Sequence, residues 1–367
     1  MHKILLVSSE FPPGPGGIGH HAWFLAKQMA KNPEIEIHVI APEDYTSKAE
    51  RSSFDSVQPF KVYRFQRKGK LTYFLRIIKL VKLLKQNNYT HFWSSGKFSL
   101  WLIQIQRLFL PTAKTLCILH GSEVNVTNKL LKIFTHQCIF KFQKIVSVSK
   151  FTEALLPKWI LNIHKGLLVI PNGLDISDLV LTGNISLKGS PVLLTVGHVS
   201  PRKGQHRLIN ALPDVLKRFP NAMYHIVGRP IDQEKLEKQA FHLGVADRVE
   251  FHGAVFEHAK LWDYYQASDI FILLSENQPN GDVEGFGIVA LEANAVGVPV
   301  IGAKYCGVEE AVKDGKSGVL VDGNESKEIV ESIDFCIKNH NIIKTGSKEW
   351  AHAHDWDIIG KRFYELV

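Results

Sequence analysis

Two glutamates eight residues apart, Glu284 and Glu292, stand in the segment Asp282-Val-Glu-Gly-Phe-Gly-Ile-Val-Ala-Leu-Glu-Ala293. Gly285, Phe286, Gly287 and Ile288 between them read as a turn feeding a helix, and such a turn leaves backbone N–H groups open to an anion. Glu284 is expected near a neutral, hydroxyl-rich group. Glu292 lies in an otherwise apolar helix, where burial without a partner is unfavourable, and it suits the two hydroxyls of a ribose. Upstream, Val196-Gly197-His-Val-Ser-Pro-Arg202-Lys203-Gly204 places two adjacent cations on a loop. Arg offers a fork of donors and Lys a compact charge, a pair able to neutralise a pyrophosphate. In isolation, the same pair also fits an ordinary surface turn, and a lone carboxylate pair fits surface decoration.

A third segment, Gly14-Pro-Gly16-Gly17-Ile-Gly19, spells the glycine pattern of dinucleotide-binding turns, with Glu43 or Asp44 placed to hold a ribose. That pattern wants its first glycine directly after the strand, whereas Glu10-Phe-Pro-Pro13 intervenes here. Contact with a phosphate or a sugar hydroxyl at a helix N-terminus is the better reading, with a nicotinamide-dependent oxidoreductase as the alternative. The 17 histidines include His20-His21 and the pair His352 and His354, which lack convergent acidic or Cys partners, so no metal site is assigned. Cys117, Cys138, Cys306 and Cys336 form no Cys-x-x-Cys pair and read as reduced, buried thiols of a cytosolic protein.

These segments need strands and helices to hold them, and the chain supplies both in alternation. Apolar runs at Lys3–Ser8, Ile35–Ile40, Thr115–Leu119, Lys144–Val148 and Leu167–Ile170 read as strands, with a helix over 20–31. The pattern restarts after Gly189 with Val192–Val196, a helix at Arg207–Lys217, and strands at Ala222–Val227, Val249–Phe251, Ile270–Leu274, Pro299–Ile301 and Gly318–Val321. Alternation of this kind predicts an α/β protein with parallel sheets covered by helices on both faces. The restart, in a chain of 367 residues, predicts two doubly wound domains facing a cleft, with chemistry on the loops that follow strands.

Charge is unevenly spread. Residues 1–180 hold 24 Lys and Arg against 11 Asp and Glu, and the rest of the chain holds 20 against 25. No acid lies between Asp55 and Glu123, a stretch with twelve bases. Within it Arg76, Lys79, Lys82 and Lys85 recur every third residue with apolar residues between, read as a cationic stripe beside an apolar helix face. Such a stripe suits an anionic membrane surface or a polyanionic substrate, or merely keeps a core-packed helix soluble. No nucleic-acid-binding motif accompanies it, so no nucleic acid partner is expected. No apolar run is long enough to span a bilayer, and Ile4–Val7 is too short a core for a secretory signal.

Taken together, the motifs resemble glycosyltransferase family 4, the retaining nucleotide-sugar enzymes of GT-B fold. The carriers are Gly16-Gly17, His120-Gly-Ser-Glu123, Ile170-Pro-Asn-Gly-Leu-Asp175, Gly197 with Arg202-Lys203-Gly204, Glu284…Glu292 and Gly297-Val-Pro-Val-Ile301. Pro-Arg-Lys-Gly-Gln205 with the glutamate segment is most similar to the phosphatidylinositol-mannoside mannosyltransferase branch. The resemblance implies an acceptor-binding Rossmann-like domain over 1–180, a donor-binding one over 181–349, and a helix over 350–367 crossing back to the first, anchored by Trp356. It implies hexose transfer from a nucleotide diphosphate sugar to a lipid-linked or saccharide acceptor in cell-envelope glycan synthesis. GDP-mannose is favoured over a UDP-sugar as donor, and a catalytically silent nucleotide-sugar binder is a further alternative. Glu284, His120, Arg202 and Lys203 become the catalytic set. Gly16, Gly17, Gly197, Gly285, Phe286, Gly287, Ile288 and Glu292 become donor-binding. Arg76, Lys79, Lys82 and Lys85 become the acceptor or membrane surface of an enzyme peripheral to the inner membrane face. No metal or other cofactor is expected, because a cation pair and a helix N-terminus can do what a bound ion does elsewhere. Cys306 replaces a family glycine, and Trp93-Ser-Ser95 replaces a His-containing segment on the acceptor side.

Overall fold

The computed structural model describes residues 1–14, 16–43, 46–177 and 179–367. They divide into two compact units, Met1–Gly173 with Trp356–Val367, and Leu174–Asp355. The chain leaves the first unit at Gly173 and re-enters it at Trp356.

In the first unit, β1 (His2–Ser8), β2 (Ile35–Glu43), β3 (Lys61–Gln66), β4 (His91–Ser95), β5 (Lys114–Leu119), β6 (Lys144–Ser147) and β7 (Leu167–Val169) form a parallel sheet. Its order is β3-β2-β1-β4-β5-β6-β7. Ile4, Leu5, Leu6 and Val7 are fully buried, as a central strand covered on both faces must be. In the second unit, β8 (Val192–Val196), β9 (Met223–Val227), β10 (Val249–Phe251), β11 (Ile270–Leu273), β12 (Val300–Ala303) and β13 (Gly318–Val321) run parallel in the order β10-β9-β8-β11-β12-β13. Each order reverses once, between β1 and β4 and between β8 and β11. Loops leaving the strands at such a reversal splay apart and open a crevice for a ligand. The Gly16 loop follows β1, the Arg202 loop follows β8, and the Glu284 loop follows β11, so three of the motifs sit at reversals.

Strands β3 and β4 carry no apolar run in the sequence. In β3, Lys61-Val-Tyr-Arg-Phe-Gln66 mixes polar and apolar residues on the sheet edge, while β4 is His91-Phe-Trp-Ser-Ser95, buried throughout despite three polar residues. The C-terminal helix Trp356–Tyr364 buries Trp356, Ile359 and Phe363 and packs on the helix Gly17–Ala30. There Asp357 accepts from Gln28 Nε2 at 3.0 Å and Lys31 Nζ at 2.5 Å. The Trp93 ring lies 6.3 Å from that of Phe363, which makes Trp93 a core residue behind this helix.

Candidate active site

The second-unit site begins at the carboxyl end of β8. Gly204 sits in the left-handed region at φ 73°, and a Cβ there would lie 1.8 Å from the Leu274 carbonyl oxygen. Only glycine therefore lets the Arg202 loop close onto the chain leaving β11. That closure brings the cations to Glu284. Arg202 Nε donates to Asp282 Oδ2 at 3.1 Å, and its Nη1 donates to Glu284 Oε2. Lys203 Nζ reaches the same Glu284 oxygen at 2.8 Å. Burial alone would raise the Glu284 carboxyl, but Lys203 and Arg202 outweigh it and hold it below the usual range. Burial likewise opposes the charge on Arg202, and Glu284 and Asp282 reverse that and push it up. His198 on the same loop is held down by burial and then by Arg229, Lys203 and Arg202, so it stays neutral among cations.

Downstream, Gly287 caps the helix Ile288–Ala295, which has no acid in its first turn. Its leading N–H groups have no intrahelical acceptor, and they face an anion favourably. The side chain of Phe286 is buried, 6.1 Å from the His354 ring, so only its backbone is available to a ligand. Glu292 is half-buried and accepts from the Tyr265 hydroxyl at 2.6 Å, which answers its place in an apolar helix. Gly307 packs against the Glu284–Gly285 turn, with its N–H on the Glu284 carbonyl at 2.9 Å. Beside it the Cys306 thiol is buried and pushed up to about 12, so the residue replacing the family glycine is inert packing.

Two residues here escaped the sequence reading. Arg207 pairs with Glu276 at 2.7 Å and reaches the Leu274 and Ser275 carbonyls, fixing the chain after β11. Its signal was a third cation five residues past Arg202. Tyr305 has φ 68°, a strained value for an aromatic residue, held by its N–H on Glu309 and by Asn277 Nδ2 on its carbonyl at 3.0 Å. Nothing in the sequence marks it.

In the first unit, Gly16 and Gly17 open the helix Gly17–Ala30, and Arg64 anchors the loop before them through the Pro12 and Pro42 carbonyls and Asp55. Glu43 pairs with Arg51 at 3.5 Å, so the structure turns it towards a neighbouring cation rather than towards Gly16. Asp44 lies outside the described residues. His120 follows β5, with Nε2 3.0 Å from Ser95 Oγ and its backbone N–H donating to Glu123. Burial pushes His120 down to about 3, and it raises buried Glu123 to about 7 against three backbone hydrogen bonds. His21 is buried 5.1 Å from the His120 ring, held well down by burial and by His120, with no hydrogen-bond partner for either ring nitrogen among the described residues. Burial thus leaves His21 and His120 neutral at neutral pH, with Glu123 titrating beside them and the Glu10 carboxylate near enough to raise it further.

The cationic stripe needs correcting. On a helix each step of three residues rotates by about 60° short of a full turn, so Arg76 and Lys85 point about 180° apart. Arg76 is 3% exposed, its guanidinium 4.5 Å over the Phe65 ring, and it belongs to no surface. Lys82 and Lys85 are exposed and Lys79 is half-buried. The exposed face at the start of helix Leu71–Gln86 is instead apolar, with Leu71, Phe74 (58% exposed) and Ile78. Ring contacts from Tyr73 to Phe98, Phe98 to Trp101 and Trp101 to Phe134, at 4.7, 5.0 and 5.8 Å, continue it to the helix Lys129–Phe140. That helix exposes Leu130 (81%) and Ile133. One Asp-x-Asp triplet is present, Asp355-Trp-Asp357, with its Trp in the core and Asp357 paired with Lys31. Among the described residues, no helix is long and apolar enough to cross a membrane.

Solved structures share this architecture along the whole chain. Anabaena HepE in complex with UDP and glucose superposes with a TM-score of 0.78 at 22% identity, covering 100% of this chain and 99% of that one. Sucrose-phosphate synthase from Thermosynechococcus elongatus gives 0.77 at 18%, covering 100% and 98%. The protein is thus of the GT-B class, two Rossmann-like units each built on a parallel sheet. The family profiles described as Glycosyltransferase Family 4 and Glycosyl transferases group 1 match residues 15–178 and 184–349. The chain belongs to glycosyltransferase family 4 and is a glycosyltransferase. It is 27% identical, over 99% of its length and 98% of the relative's, to a GDP-mannose-dependent alpha-(1-6)-phosphatidylinositol monomannoside mannosyltransferase of Mycolicibacterium smegmatis. It is 31% identical over 54% of its length to a phosphatidyl-myo-inositol mannosyltransferase of Mycobacterium leprae, covering 53% of that protein.

Proposed function

We propose that this glycosyltransferase moves a hexose, with retention, from a nucleotide diphosphate sugar to a lipid-linked acceptor at an anionic membrane surface. The observation that carries the donor reading is the convergence of Arg202 and Lys203 on one oxygen of Glu284, beside the N-terminus of Ile288–Ala295. A diphosphate offers the same cations more charge than one carboxylate does, so it can take them over from Glu284. Retention follows a front-face course. The bond from the anomeric carbon to the diphosphate breaks, the acceptor oxygen bonds to the same face, and the acceptor proton passes to the leaving phosphate. No protein base is needed, and the residues act by position and charge. Arg202, Lys203 and the N–H groups at Phe286–Ile288 hold the departing diphosphate. Glu292 accepts from the ribose in exchange for Tyr265. Neutral His120 hydrogen-bonds a sugar hydroxyl, and the Gly16-Gly17 turn offers N–H groups to the donor. Transfer needs no divalent ion. GDP-mannose is the favoured donor because relatives matched along the whole chain are named as GDP-mannose-dependent.

The acceptor reading rests on the apolar face from Phe74 to Leu130, in a region where Glu123 is the single acid between Asp55 and Glu153. Apolar side chains can enter the acyl boundary while neighbouring bases meet anionic headgroups, each contributing about 1 kcal/mol. This is the chemistry of a peripheral enzyme of the inner membrane face making envelope glycan. The test pairs GDP-mannose and UDP-glucose with extracted lipid acceptors and with soluble saccharides, in EDTA, and reads the product's anomeric configuration by NMR. An α-linked mannolipid from an α-donor is expected. An inverted product, dependence on magnesium or manganese, or turnover of NAD(P) would refute the reading, and donor binding without transfer would mark a silent binder.

A further inference from the structure

A second cluster of ligating side chains lies on the edge of the second unit's sheet, away from every motif used above. Glu250 of β10 pairs in register with His225 of β9, and in parallel strands such partners share a face. His252 lies two residues beyond Glu250, so the period of two returns it to that face. His225 is fully buried, and its Nε2 lies 2.8 Å from the Lys188 carbonyl. A carbonyl only accepts, so Nε2 carries the proton and the Nδ1 lone pair is fixed. That lone pair is 3.0 Å from His252 Nε2 and 3.7 Å from Glu250 Oε2.

We propose that His225 Nδ1, His252 Nε2 and a Glu250 carboxylate oxygen bind one zinc-class divalent ion, which ties edge strand β10 to β9. Ligands at about 2.0–2.1 Å from a tetrahedral ion stand about 3.3 Å apart, and the two measured separations bracket that value. The donor set is imidazole-rich, which favours zinc, cobalt or nickel over magnesium or calcium. The Lys188 carbonyl supplies the outer hydrogen bond that orients a metal-bound histidine. Glu250 is exposed and His252 half-buried, which gives the ion an entry path and leaves the fourth position to water. The role is structural. It holds an edge strand of three residues and, through Lys188, the segment entering β8.

The full chain, stripped with a chelator and dialysed, is titrated with Zn²⁺ and Co²⁺ by calorimetry and visible absorption, with Mg²⁺ as control. The expected result is one zinc per chain, intense tetrahedral cobalt bands, a raised melting temperature and no response to Mg²⁺. Glu250→Gln and His252→Gln should each weaken zinc binding at least tenfold, with the far-ultraviolet spectrum unchanged. No zinc uptake by the wild type, or wild-type affinity in both variants, would overturn the site. Glu250 is exposed, so its variant reads binding without a packing change.

Discussion

Glu284 in the second unit and Glu123 in the first, both buried carboxyls, are treated in opposite ways. In the second, Glu284 is kept ionised by two cations. In the first, burial discharges the groups instead. His21 and His120 are neutral and Glu123 is raised to about 7. The exposed Lys82 and Lys85 of the first unit lie in a stretch where Glu123 is the single acid between Asp55 and Glu153. A buried ion with a partner survives; one without a partner gives up or takes on a proton. The contrast fits the proposed roles, a charged diphosphate for the second unit and a sugar and a lipid surface for the first.

The largest effect should come from the charged side of the comparison. Arg202→Ala removes a preorganised donor to the leaving group and should lower kcat/KM by about 10²–10³-fold. Steady-state rates at saturating acceptor check this, and a loss below tenfold would erase the distinction between the units. Next, the pH dependence of stability should separate the two carboxylates. Glu284 has a depressed pKa, so its contribution is present above the unfolded value of about 4.3 and is lost only as pH falls through the folded value. Glu123 has a raised pKa. Its contribution is full below about 4.3 and is lost as pH rises towards about 7, on the order of 3 kcal/mol in all. Glu123→Gln should therefore flatten the decline in urea midpoint between pH 5 and 7.5, which Glu284→Gln should leave in place.

For the membrane face, Phe74→Glu with Leu130→Glu should abolish co-sedimentation with anionic vesicles, each side chain being worth about 1.5–3 kcal/mol of apolar transfer. Lys82→Gln with Lys85→Gln should weaken it less, by about 1 kcal/mol per charge, and only at low salt. Equal binding to neutral and anionic vesicles would contradict both. The smallest effect should be His120→Gln, which exchanges one neutral hydrogen bond for another and should cost about tenfold or less in kcat/KM. Because His120 is pushed down to about 3, the wild-type rate should show no limb from this residue between pH 5 and 8.

The parallel, helix-covered sheet of either unit was legible as alternation, because strands covered on both faces are written as continuous apolar runs. It failed at β3 and β4, where an edge strand and a serine-ended strand lack that run. Arg202, Lys203 and Glu284 were legible as types on loops after strands, but their mutual contact was not, since it depends on Gly204 closing onto Leu274. The stripe through Arg76 misled because spacing by three winds around a helix, and the exposed apolar face beside it was hidden among residues that read as core. His225, Glu250 and His252 were invisible for another reason. Their proximity comes from the register of β9 on β10, which no linear spacing encodes.

The central claim is that Arg202 and Lys203 form the anchor of a nucleotide diphosphate. Calorimetric titration of GDP, UDP and NAD into the wild type and the Arg202→Ala, Lys203→Ala double variant tests it most directly. The expected result is one nucleoside diphosphate bound per chain, with affinity reduced at least a hundredfold in the double variant and no heat from NAD. Undiminished GDP and UDP binding in the variant, or binding of NAD alone, would contradict it.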